Sequence, residues 1–302
     1  MPMKNAAALL APLRARFERR RPIRAGSLIV TLYGDAIAPR GGSLWLGSLN
    51  ALVAPFGIEP GLVRTAMSRL VAEGWFERNR VGKSSYYRLS ATGAAEFSAA
   101  ADRIYRASDP PWEGDLSVAL LTAGDAKARL QDRDRLATDG FGQLSSNVMI
   151  RPRLRGGPSD KPADASGNIV LLTATADAGP QAIRQLAADA WDLETLARAY
   201  SSFLADVAGL ARASAAVERL ADDEAFLLRI LLVHEWRRIV LRDPLLPSEL
   251  LPKGWPGAAA RGAFRAIYHA AAKGCERWLD ATAVDERGVL PCPDKSASSR
   301  FK

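Results

Sequence analysis

A proline-led helix that gives way, at a glycine, to a basic hairpin constrains this chain more than any other stretch. Ile58-Glu59-Pro60 opens it, and proline suits a first helical turn, where its missing N–H has no partner to lose. From Gly61 to Glu73, Val63, Ala66, Met67 and Leu70 recur at helical spacing and form one apolar stripe. Arg64, Thr65, Ser68 and Arg69 fall away from that stripe. Gly74 is placed to end the helix. The period then changes. Trp75–Arg80 and Ser85–Leu89 read as two strands, with Val81-Gly82-Lys83-Ser84 at the tip between them. Arg78, Arg80, Lys83 and Arg88 spread positive charge along this hairpin. A helix with a basic outer face and a basic hairpin is the winged helix-turn-helix pattern. The helix enters the major groove of double-stranded DNA and the wing lies along the phosphates.

An ordinary solvated helix and hairpin is the competing reading, and charge distribution weighs against it. Residues 1–106 carry 16 Lys and Arg against 7 Asp and Glu; residues 107–302 carry 25 against 26. The formal net charge of +8 therefore comes from the first third, around the helix and hairpin. Such a localised excess is the footprint of a polyanion-binding surface. Gly82-Lys83-Ser84 mimics the end of a phosphate-binding loop, but the required earlier glycine is Glu77, and the triplet sits between strands.

The preceding residues complete the pattern. A predicted first helix runs through Leu28, Ile29, Val30, Leu32 and Tyr33, with Ser27 as its cap. Pro39-Arg40-Gly41-Gly42 is a turn, Ser43–Leu46 a short strand, and Ser48 the cap of a second helix holding Leu49, Leu52 and Val53. Arg14, Arg16, Arg19, Arg20, Arg21 and Arg24 make residues 1–24 a basic arm, with Glu18 its only acid. Two readings stand: a contact to the DNA backbone, or a solvated tail or a helix that braces a partner subunit. After the hairpin a helix runs to about Arg106, and Asp109-Pro110-Pro111 marks a boundary.

These segments together carry a resemblance. Leu28–Asp35, Pro39–Gly42, Trp45–Leu49, Val63–Ala66, Arg69-Leu70, Glu73–Trp75, Ser85–Tyr87 and Arg103–Tyr105 resemble the PaaX family, repressors of phenylacetic-acid degradation operons, and the likeness resumes downstream. The resemblance implies an α+β, multidomain chain: a winged helix-turn-helix over 25–106, a central ferredoxin-like domain over 112–190 similar to the Cas2 nuclease fold, a helical domain over 191–284 and a loose tail from 285 to 302. It also implies repression of aromatic-acid catabolic genes, with release from the operator by an aryl-CoA thioester such as phenylacetyl-CoA. A homodimer is expected, because regulators of this kind read two half-sites.

The central stretch supports the α+β expectation by itself. Asp115–Leu121, Leu144–Ile150 and Asn168–Thr175 read as strands, Ala126–Leu136 and Pro180–Trp191 as helices, and Arg155–Gly167 as a loop. Beyond Trp191 the spacing is helical: Asp192–Leu210, Asp222–Leu241 and about Ala258–Leu279. No apolar run reaches membrane-span length, no signal peptide is evident, and Cys275 and Cys292 are the only cysteines, which fits a reducing cytoplasm. His234-Glu235 lacks the second histidine of a metalloprotease helix, and no nucleophile elbow occurs, so no catalytic residue, metal or cofactor is expected. His234, Trp236, Arg237 and Arg238 are candidates for an effector site, since arginines suit the phosphates of CoA and an aromatic wall suits an aryl group. The opposite reading puts Trp236 in the core and the arginines in surface ion pairs. Rival functions are the same family with another effector and regulon, a CoA-thioester enzyme, and a Cas2-like nuclease.

Overall fold

The computed structural model describes residues 6–20, 24–108, 111–122, 125–154, 168–175, 177–298 and 300–301. The chain opens with α1 (Ala6–Glu18) and α2 (Ala25–Leu32). A π-helical turn at Tyr33–Ile37 and a 3₁₀ turn at Ala38–Arg40 follow. Then come β1 (Ser43–Trp45), α3 (Leu46–Val53), α4 (Pro60–Ala72), β2 (Phe76–Val81), β3 (Ser84–Leu89) and α5 (Ala91–Ile104). The helix that opens at Pro60 thus ends as its sequence dictates: Gly74 takes φ +79° just beyond it. The three strands form an antiparallel sheet in the order β1-β3-β2.

The middle of the chain holds β4 (Trp112–Leu121), α6 (Ala126–Thr138), β5 (Gly142–Gln143), β6 (Val148–Leu154), β7 (Ile169–Thr175) and α7 (Pro180–Ala190). All neighbours in this sheet are antiparallel, in the order β5-β6-β4-β7. The predicted loop at 155–167 lies outside the described residues. The remainder is α8 (Leu193–Arg212), α9 (Ser214–Val217), α10 (Asp222–Val240), α11 (Gly257–Thr282), the small hairpin β8 (Val284–Asp285) and β9 (Gly288–Val289), and α12 (Lys295–Ser298). The fold class is α+β, as expected.

Packing divides these elements differently from the sequence boundaries. One compact unit joins residues 1–107 with 201–241 and 258–302; the other joins 108–200 with 242–257. The expected separate helical domain over 191–284 is therefore corrected. Its first and middle segments pack with the central sheet, and the rest completes the N-terminal unit. The reason lies in α10. Its buried positions run almost without a break from Ala225 to Trp236 and include Arg229, His234 and Glu235. A helix buried on all sides needs neighbours all around it, with partners for its polar groups, and in this unit it finds them. Arg16 of α1 donates to Glu235 at 2.7 Å, Thr31 of α2 meets His234 at 2.8 Å, and Trp236 donates to the Ile104 carbonyl of α5 at 2.9 Å.

Asp35, at the π turn, is the polar centre of that unit. Its carboxylate accepts from Arg229 at 2.8 Å, Tyr105 at 2.6 Å, Tyr268 at 2.9 Å and Arg300 at 3.0 Å. Burial by itself would raise its pKa; the charges of Arg229 and Arg300 and the hydrogen bonds outweigh burial and hold it below the usual carboxylate value. The expectation of a loose tail from 285 is corrected here. Phe301 is buried against Tyr105, Phe264 and Tyr268 and donates its N–H to the Tyr105 carbonyl at 3.0 Å.

The second unit has two cores. Ala119, Leu121, Leu136, Phe141 and Met149 lie between the sheet and α6. Ala187, Leu193, Leu246, Leu250 and Leu251 form the other, with Trp112, Trp191 and Trp255 packed against it. Residues 242–257 belong here because they supply half of that second core.

Candidate nucleic-acid interface

Helix α4 separates its two sides cleanly. Val63, Ala66, Met67 and Leu70 are buried, while Arg64, Thr65, Ser68 and Arg69 are all exposed. The Thr65 hydroxyl donates back to the Gly61 carbonyl at 3.1 Å, leaving its oxygen at the surface. Arg69 meets Glu73 at 3.3 Å in an exposed pair one turn apart, an arrangement worth little in water. Its guanidinium also lies close over Gly26 of α2, where a Cβ would sit 2.9 Å away.

The hairpin turns tightly. Val81 pairs with Ser84, so Gly82 and Lys83 are the two turn residues; Gly82 has φ +61°. With positive φ at Gly82 but not at Lys83, this is a II′ turn, whose twist matches the strands. Lys83 is thereby held at the exposed tip, and the phosphate-loop likeness of Gly82-Lys83-Ser84 is a hairpin turn.

Register sorts the remaining cations. Arg78 pairs with Tyr87 and Arg80 with Ser85, so both lie on the face that carries the buried Phe76 and Tyr87. Arg88 pairs with Glu77 and Ser43 and lies on the opposite face. There it stands 4.0 Å from Glu286, beside a cleft of about 310 Å³ lined also by Asn79, Ser43 and Arg287. The structure thus groups Arg64, Thr65, Ser68 and Arg69 on one helix and Arg78, Arg80 and Lys83 on one wing, and sets Arg88 apart. Sequence reasoning missed Glu286. The signal was available: Asp285-Glu286-Arg287-Gly288 between two valines is a hairpin turn, and Gly288 has φ +121°.

Three basic-arm arginines have partners within their own unit, Arg14 donating to the Pro55 carbonyl at 3.4 Å. Arg16 binds Glu235, Asp206 at 2.7 Å and Ser202 at 2.8 Å, and Arg20 also binds Glu235. This favours neither a DNA contact nor a solvated tail for α1. Arg21 lies outside the described residues.

The expected effector residues are mostly interior. Trp236 is fully buried, stacked on Phe264 with ring centroids 4.9 Å apart. His234 is buried too. Thr31 gives its hydroxyl proton to the Ser27 carbonyl, so Nδ1 of His234 must donate to the Thr31 oxygen. Burial, and then the charges of Arg237, Arg238 and Arg20, lower the His234 pKa to about 3, so the ring is neutral. These two side chains are corrected from pocket walls to core groups. Arg237 is half-buried and donates to Ser27 at 3.1 Å, and Arg238 is half-buried beside it.

Against this geometry the comparisons can be weighed. The family model described as PaaX-like protein matches residues 24–93, and that of the PaaX-like protein C-terminal domain matches residues 191–281. Over 293 residues the chain is 35% identical to the transcriptional repressor PaaX of Escherichia coli strain K12, covering 93% of this chain and 90% of that one. The chain belongs to the PaaX family. The first PaaX match contains every α4 and hairpin residue named above, and the second contains His234, Trp236, Arg237 and Arg238. Among solved structures, this PaaX-family chain is similar to an uncharacterized protein from Mycobacterium tuberculosis. The TM-score is 0.52 at 29% identity, over 76% of this chain and 89% of that chain.

Proposed function

We propose that this chain is a cytoplasmic transcriptional repressor that binds double-stranded operator DNA through a winged helix-turn-helix. In this reading α4 is the recognition helix and the β2–β3 hairpin is the wing. Arg64, Thr65, Ser68 and Arg69 face base edges in the major groove. Arg78, Arg80 and Lys83 lie along phosphates; Arg88, tied to Glu286, contributes less. The observation that carries the reading is the division of α4: Arg64, Thr65, Ser68 and Arg69, all donors suited to DNA, are exposed beside Leu62, while Val63, Ala66, Met67 and Leu70 are core. Likeness to a repressor over nearly the whole chain supports it.

The finer parts rest on that base. A homodimer presents two recognition helices to two half-sites. The central sheet is read as ferredoxin-like because its first strand lies between the third and the fourth. It departs from that plan in one respect: α7 follows the last strand. Phenylacetyl-CoA, or a related aryl-CoA thioester, releases the repressor by favouring a state whose two recognition helices no longer match the half-sites. The genes controlled are those of aromatic-acid breakdown.

Two substitutions test the DNA face. Arg69→Ala loses about 1–3 kcal/mol of operator affinity and relaxes specificity at the base it reads; unchanged affinity removes Arg69 from the interface. Lys83→Ala weakens binding almost equally on all sequences and lowers the salt slope by about one. An unchanged slope makes the wing tip a bystander.

A further inference from the structure

The second unit contains a cleft of about 380 Å³ between α6, β5 and the end of α7. Its walls include Leu130, Phe141 and Met149, and its volume is within the range of small-molecule sites. Two residues that line it each hold a buried N–H with no acceptor among the described residues: Nε of Arg133 and Nε1 of Trp191. A buried donor without a partner is costly unless something supplies an acceptor, and native interiors rarely leave such groups unmet. Trp191 is held where it is by Gly142, whose Cβ position is occupied by the indole ring at 2.4 Å. The Trp191 donor is therefore fixed by the fold.

We propose that this cleft binds the acyl end of a ligand, a flat apolar group carrying a neutral carbonyl. The apolar walls take the flat group, and the two N–H groups donate to the carbonyl oxygen. Charge at the cleft argues for a neutral acceptor over a carboxylate, because the two carboxylates that line it, Asp134 and Asp192, outnumber the one lining cation, Arg133. An acyl thioester, amide or ester fits; the free acid does not. This deepens the proposed release by an aryl-CoA thioester and rests on that reading only for the choice of thioester. It also moves the effector site from His234 and Trp236, which are core groups, to a place with unmet hydrogen bonds. Helix α8 begins two residues after Trp191 and carries the chain into the other unit, where its Asp206 holds Arg16.

The experiment follows the Trp191 indole N–H in ¹H–¹⁵N spectra of the full chain, assigned by its loss in Trp191→Phe. Phenylacetyl-CoA, phenylacetamide, phenylacetate and free CoA are titrated separately. The thioester and the amide shift the Trp191 signal saturably, while phenylacetate and CoA do not. Trp191→Phe and Arg133→Gln each weaken thioester binding by roughly tenfold in calorimetry. A Trp191 signal that stays still at saturating thioester overturns the site, as do variants that bind with full affinity. Equal shifts with phenylacetate overturn the neutral-carbonyl assignment. A signal that moves while operator affinity does not keeps the cleft and discards the proposed release. Release from DNA with a still signal does the reverse.

Discussion

Single residues explain why the segments that carry the family resemblance are what they are. In Tyr33-Gly34-Asp35 the phenol donates to the Tyr87 carbonyl at 3.1 Å, the glycine leaves room for the Phe97 ring, and the aspartate collects two arginines and two tyrosines. In Trp45–Ser48 the indole lies on Gly47, and Ser48 donates to the Thr282 carbonyl and accepts from Val284. Asp35 and Ser48 are seams between the N-terminal elements and the C-terminal segments. The sequence shows such residues to be unusual, but their partners lie some 200 positions away and no local pattern names them. His234 offers a test. Its pKa is near 3 in the folded chain and near the ordinary 6.5 when unfolded. The unfolded state therefore gains a proton first as pH falls, and stability is lost from about pH 6.5 downward. Between pH 7 and 5 the loss from this group is about 2 kcal/mol. His269 shifts the same way, so the comparison is with His234→Gln, which should show a flatter pH dependence of urea unfolding by about that amount. Parallel curves would mean that His234 is already solvated.

At the scale of elements, α4 and the hairpin are legible because their periods are clean; in the central sheet β7 falls where expected, but β6 (Val148–Leu154) starts four residues beyond the expected Leu144–Ile150 and the two-residue β5 has no period to read. Starts of helices are less so. Ser27 and Ser48 were expected as caps, yet α2 begins at Ala25 and α3 at Leu46, and both serines lie inside their helices with bonds to distant partners. A cap and a long-range bond need the same hydroxyl, and sequence cannot tell them apart. Ser90, by contrast, does cap α5, accepting from Gly93 at 2.9 Å. The tail was illegible for another reason. Residues 290–301 hold few apolar side chains; Leu290 and Phe301 are buried, and Arg300 and backbone bonds of Pro291 and Asp294 to Arg40 and Pro39 add to the anchoring. Phe301→Ala should therefore destabilise the chain by about 3–5 kcal/mol, the cost of emptying a buried aromatic site. A melting temperature unchanged by this substitution would contradict the docking of the tail.

Over the whole molecule, the basic third does not stand alone as a domain. It folds around α10 and is closed by α11 and the tail, so that Asp35, Arg229, Glu276, Arg40 and Arg300 form one buried ionic cluster. Chain order suggested three successive domains, because composition and breakers mark where segments change but not which segments share a core. The charge asymmetry, by contrast, was fully visible and still governs the function proposed. That function is tested most directly by binding of the purified protein to DNA upstream of its neighbouring operon, at fixed salt, while phenylacetyl-CoA is titrated in. The account predicts specific binding that is lost with the thioester and retained with free phenylacetate. Binding that shows no preference for that DNA over an unrelated duplex of equal length would contradict it.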